Sequence, residues 1–181
     1  HYQVRQNGTY WYHSHSGLQE QLGHYGQLII DPADDDPVGY DIEHSIVLSD
    51  WTDMDPHVVM DKLKTMEGYF NYQRPTLANL ETQAEASGES IADVIKKRLS
   101  WQRMRMDPTD IADVTGATYK FLMNGKTSEE NWTAIAKPGQ RVRLRIANAS
   151  ALTYYDFRVE GLPMTVVQAD GQNIEPVETD E

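Results

Sequence analysis

The hydrophobic period of this chain changes twice, and that restricts it to strands, then helices, then strands again. In residues 1–31 the pattern alternates through Thr9-Tyr10-Trp11-Tyr12-His13-Ser14-His15 and turns apolar at Gln27-Leu28-Ile29-Ile30. Aromatic and β-branched residues bounded by Gly8, Gly17, Gly23 and Gly26 predict two short strands with a connecting loop. Asp31-Pro32-Ala33-Asp34-Asp35-Asp36-Pro37 then breaks the pattern, and its prolines and acids predict an exposed, solvated linker. One strand follows at His44–Ser49. From about Asp55 to Met106 the period becomes helical. Pro75 suits a first helical turn, Leu77, Leu80 and Ala84 share a face, and Gly88 is a stop. Ile91, Val94, Ile95 and Leu99 mark a second helix that Pro108 should end. Period 2 returns in Arg141-Val142-Arg143-Leu144-Arg145-Ile146, fed by the Pro138-Gly139 turn. The simplest expectation there is a strand with a buried apolar face and a wet charged face. Tyr155–Val159 and Met164–Val167 predict further strands, with Gly161-Leu162-Pro163 between them. The sum is a mainly β fold carrying a helical insertion at about 55–107.

Charge and composition narrow the function classes. Sixteen Lys and Arg stand against 28 Asp and Glu, a formal net charge of −12. Such a surface attracts cations and disfavours nucleic acid and anionic lipid. The apolar runs are too short to span a bilayer. There is no cysteine, which removes disulfides, thiolate nucleophiles and thiolate metal sites. With 39% apolar residues in 181, the chain has material for one core and little more. Because it opens on His1 without an initiator Met, it is expected to be an excised piece of something longer.

His13-Ser14-His15 is the sharpest chemical feature. Residues i and i+2 of a strand face the same way. Two imidazoles then sit side by side, about 6–7 Å apart at the backbone for a rise of about 3.3 Å per residue. Such a pair can chelate one metal or give one ligand to each of two, and imidazole suits copper, zinc, iron and nickel. Two solvated histidines on an exposed strand are the plainer reading of H-x-H alone. His24, His44 and His57 have no partner at ligand spacing and are expected in surface or packing roles. Thioethers favour Cu(I), but Met54, Met60, Met66, Met104 and Met106 are expected as core fillers. Trp51, Trp101 and Trp132 are expected in core or inter-domain packing.

The flanking residues add a resemblance. Gly8-Thr9-Tyr10-Trp11-Tyr12-His13-Ser14-His15, followed by Gly23-His24-Tyr25-Gly26-Gln27-Leu28-Ile29-Ile30-Asp31-Pro32, resembles the second histidine motif of the multicopper oxidases. Leu122-Met123-Asn124-Gly125, Pro138-Gly139-Gln140, Arg143–Ala149 and Ala169-Asp170-Gly171 look like that family's second domain, in its order. Leu48-Ser49-Asp50-Trp51 and Arg103–Asp110 look like its bacterial copper-resistance, or CopA-type, branch. The resemblance implies a cupredoxin-like Greek-key β-sandwich. It divides the chain into 1–31, the last strands of a first cupredoxin domain with the H-x-H motif; 32–43, an acidic linker; and 44–181, a second cupredoxin-like domain. It assigns His13 to one copper and His15 to the other copper of a type 3 pair. The rest of that trinuclear cluster would come from segments absent here, so no catalytic residue is complete in this piece. The intact enzyme would couple one-electron oxidation of Cu(I) or phenolic donors to reduction of O2 to water, for copper tolerance in the periplasm. Its partners would be the remaining domains of its own chain. The alternative is a copper-binding or storage module without catalysis. Strands cut from their first domain are expected to be disordered or to associate with a second copy.

Overall fold

The computed structural model describes residues 1, 3–66, 68–71, 75–104 and 118–180. They fall into two compact units, a β unit of residues 1–51 and 120–181 and a helical unit of residues 52–119.

In the β unit, β1 (Gly8–His13) pairs antiparallel with β2 (Tyr25–Ile30), from Gly8 opposite Ile30 to His13 opposite Tyr25. The predicted strand at His44–Ser49 is longer than its apolar run, spanning Ile42–Trp51 as β3. β3 is the centre of a three-stranded sheet. β4 (Lys120–Met123) lies antiparallel on one side and β5 (Val142–Asn148) parallel on the other. A parallel neighbour requires a long crossover, and the helical unit and β4 lie within it. β6 (Met164–Ala169) and β7 (Gln172–Thr179) form a hairpin. Its two turn residues, Asp170 and Gly171, have φ of 48° and 75°, the doubly positive turn whose twist matches a hairpin.

The short motifs act as joints between these strands. After β4, Asn124 (φ 52°) turns the chain and its side chain continues the ladder along β3. Its Oδ1 accepts from the Val47 N–H at 2.7 Å and its Nδ2 donates to the Ser45 carbonyl at 2.8 Å. Asp50, 4% exposed at the end of β3, accepts from the Ala151 N–H and the Thr153 hydroxyl. The expected strand at Tyr155–Val159 does not form. Tyr155 is instead held by the Ser150 hydroxyl at 2.8 Å and by the edge of Phe121, leaving only an isolated Val159–Leu162 bridge.

β5 reverses its expected faces. Arg143 and Arg145 are buried, whereas Val142 and Ile146 are 40% and 38% exposed. The guanidiniums have partners there that the alternation could not reveal. Arg143 pairs with Asp36 and lies over the Tyr40 ring. Arg145 lies 2.7 Å from Glu43 Oε2 through Nε, in ionic contact without hydrogen-bond alignment, and donates to Thr9 Oγ1 at 2.9 Å. A buried charge is tolerated when paired. Asp36 is therefore no solvated linker acid. Burial pushes its carboxyl up, but the Val38 N–H and the Arg143 guanidinium outweigh that and hold it below its ordinary value.

Nor are β1 and β2 disordered. Thr9 N–H donates to Gln168 Oε1, and Gln27 Nε2 donates to the Arg145 carbonyl. Gly8 (φ 137°) lies so close to Gly171 that a Cβ would overlap the Gly171 carbonyl.

The helical unit follows its sequence signals at the caps more than on the faces. α1 (Pro56–Thr65) starts at Asp55, whose carboxylate accepts from the His57 N–H at 2.8 Å. Val59, Phe70 and Tyr119 form its buried cluster, with Leu63 packed against it. A 3-10 turn, Leu77–Asn79, runs into α2 (Leu80–Ser87), which ends at Gly88 with φ 66°. Leu77 is 86% exposed, so of the expected apolar face only Ala84 is buried. α3 (Ile91–Arg103) buries Val94, while Ile91, Ile95 and Leu99 are exposed. Its last helical residue is Arg103, followed by the cap Met104. Pro108 and Met106 lie outside the described residues, as do Arg105–Asp110 of the branch motif. Met54, Met60, Met66 and Met104 are 36–53% exposed, which overturns their reading as core fillers.

Candidate metal centre

The H-x-H pair sits where β1 runs out. His13 is the last residue of the strand, and the Ser14 N–H adds one more ladder bond to the His24 carbonyl at 3.0 Å. That bond holds the strand direction past His13, so His15 keeps the same face. The rings form a column. Trp11 stacks on His13 with centroids 4.3 Å apart and planes 15° apart, and His13 stacks on His15 at 4.6 Å and 29°. Residues i, i+2 and i+4 thus give three parallel rings on one face, as strand pleating dictates.

A tight turn between the strands closes beneath this column. The Leu22 and His24 N–H groups donate to the Gln19 carbonyl, and the Gly23 N–H donates to the Glu20 carbonyl at 2.9 Å. Gly17 and Gly23, with φ of 56° and 87°, provide the bends. The Ser14 hydroxyl donates to Gln19 Oε1 at 2.7 Å and accepts from the Ser16 N–H. Glu20 is thereby turned back on the strand, with Oε2 3.0 Å from His13 Nδ1.

The donor set suits copper and is incomplete. His13 and His15 supply two imidazoles, and among the described residues the hydrogen-bond contacts of the His13 ring fall on Nδ1, not Nε2. Among the described residues, no three His, Asp or Glu side chains gather to enclose a metal. Two same-face imidazoles on an open edge fit one wall of a site completed by other segments.

Among the described residues, no other histidine joins this pair to make a group of three metal ligands. His44 Nε2 lies 3.2 Å from the Ile135 carbonyl, with its ring edge-on to Trp132. His24 and His57 are exposed. Sequence reasoning did not single out Glu20 or Gln19. Each is a polar residue in a loop, and only closure of the turn brings it to the motif.

Comparison with known proteins agrees with this architecture. A family model described as multicopper oxidase matches residues 43–181, and a second of the same description matches residues 1–35. The chain belongs to the multicopper oxidase family, whose metal is copper. Within it, the chain is 51% identical over 180 residues to copper resistance protein A of Escherichia coli, covering 99% of this chain and 29% of that protein. Copper resistance protein A of Pseudomonas syringae pv. tomato is 48% identical over the same share of each chain. This chain therefore spans less than a third of these relatives. The crystal structure of Fet3p, a multicopper oxidase that functions in iron import, superimposes with a TM-score of 0.58 at 23% identity, covering 97% of this chain and 24% of that one. That likeness gives the fold as cupredoxin-like.

Proposed function

We propose that this segment belongs to a copper-resistance multicopper oxidase in which His13 binds one copper and His15 the other of a type 3 pair. The observation that carries this reading is the column of same-face imidazoles at 4.6 Å, open on one side, at the end of β1. Bound copper supplies one-electron redox chemistry and O2 binding. The chain's own residues do the holding. β1 aims both imidazoles, Trp11 blocks one side of His13, and the Ser14–Gln19 and Ser14–His24 bonds fix the backbone between the ligands. In the intact protein, electrons from Cu(I) or a phenolic donor would reduce O2 to water, in the periplasm, as protection against copper. The other domains of the same chain would supply the remaining ligands, including the thiolate that a blue copper requires.

The test uses the full-length protein. His13→Asn removes one imidazole nitrogen and leaves the distant blue centre its ligands. The variant should keep its colour, bleach with reductant under anaerobic conditions, and fail to recover colour in air. His57→Asn should behave as the parent. Full oxygen turnover and full copper loading in His13→Asn would overturn the assignment.

A second reading, copper binding or storage without catalysis, draws support from the exposed thioethers of Met54, Met60, Met66 and Met104. It predicts copper uptake without oxygen consumption in the full-length protein. Self-association is a further proposal for the isolated segment. Among the described residues, the backbone ladders of the β1–β2 ribbon join its own two strands, and such edges recruit partners. Sedimentation should show a concentration-dependent dimer.

A further inference from the structure

We infer that Glu20 is a positioning residue for the metal centre. It fixes the tautomer and ring angle of His13 so that Nε2, and not Nδ1, is offered to the metal. This inference rests on the reading of His13 as a ligand. Its basis is geometric. An imidazole has two nitrogens, and a metal takes whichever one is free of a proton. The Glu20 carboxylate is an acceptor only, and Oε2 lies 3.0 Å from Nδ1. The proton therefore resides on Nδ1, together with a weaker contact to the Ser14 carbonyl at 3.3 Å. Two acceptors on Nδ1 leave the lone pair on Nε2.

The ring has little freedom to turn away. The Trp11 and His15 rings cover its two faces at 4.3 and 4.6 Å. The Glu20 backbone is held by the turn that closes on the Gly23 N–H. The carboxylate and His13 side chains are both only about one-third exposed. His15 has no corresponding partner among the hydrogen bonds of the described residues, so the effect should fall on one ligand of the pair.

The experiment measures Cu(II) affinity of the full-length protein by competition with a chelator, alongside its copper content and thermal midpoint. Loss of such an outer partner costs about 10–100-fold in metal affinity. Glu20→Ala should weaken the binding of one copper by that factor, and Glu20→Gln, which keeps an acceptor oxygen, should weaken it less. In a His13→Asn background, Glu20→Ala should have no further effect on affinity. The thermal midpoints of the Glu20 variants should stay close to the parent. Parental affinity in Glu20→Ala, or an equal additional loss in the His13→Asn background, would overturn the inference. If His13→Asn itself retained every copper at parental affinity, the ligand assignment would fail first, and this inference with it.

Discussion

Two strands of the β unit each carry a pair of nitrogen-rich side chains at i and i+2, and the pairs have opposite fates. On β5, Arg143 and Arg145 are drawn inside and met by Asp36, Glu43, Thr9 and the face of Tyr40. On β1 and its extension, His13 and His15 are stacked on each other, with a single carboxylate on Nδ1 of the His13 ring. The arginine pair has its charges matched within the chain and holds β5 to β1 and to the acidic segment. On the reading proposed above, the histidine pair keeps its ring nitrogens for a metal. Shared spacing says that two side chains point the same way; the partners around them decide whether that direction is structure or site.

The largest effect should come from breaking the buried pair. Arg145→Ala strands the Glu43 carboxylate and removes the tie to Thr9, and breaking a buried ion pair costs about 3–5 kcal/mol. Urea unfolding followed by tryptophan fluorescence reads it. His13→Ala in parallel should cost far less, and equal losses would end the contrast between the pairs.

Asp36→Asn should cost about 2 kcal/mol, in the range of hydrogen bonds to charged groups. It also carries a pH signature. The Asp36 carboxyl is held below its ordinary value of 3.8 in the folded state. Its stabilising share is therefore fully present above that value and lost as pH falls toward the folded value. Acid titration of the unfolding midpoint should show a smaller drop in Asp36→Asn than in the parent. Identical acid limbs would mean the ion pair contributes nothing.

Thr9→Val removes only the hydroxyl that Arg145 reaches, and should cost about 1 kcal/mol. A double-mutant cycle with Arg145→Ala should show coupling between the two; strict additivity would sever β1 from β5 energetically. The smallest effect is expected for His15→Ala, whose ring is exposed. It should change stability by no more than about 0.5 kcal/mol while weakening copper binding. A large loss of stability would make the histidine column a structural element.

The sequence by itself determined the succession of a β zone, a helical zone and a second β zone, because periods of 2 and 3.6 are written locally in side-chain alternation. It also determined the stop at Gly88 at the end of α2, where a positive φ favours glycine. The face shared by His13 and His15 was legible for the same reason. Pleating depends only on the strand itself. Only the tertiary structure decided which face of β5 is inside, because the acids that make a buried arginine tolerable come from about 100 residues away along the chain. It alone decided that Tyr155–Val159 is not a strand, for the residues that would pair with its backbone are set by the rest of the fold. It also decided that four methionines and much of the apolar faces of α2 and α3 remain exposed. Glu20 belongs to the same class. Its role depends on a turn closing seven residues beyond His13, a distance in space that no local pattern encodes.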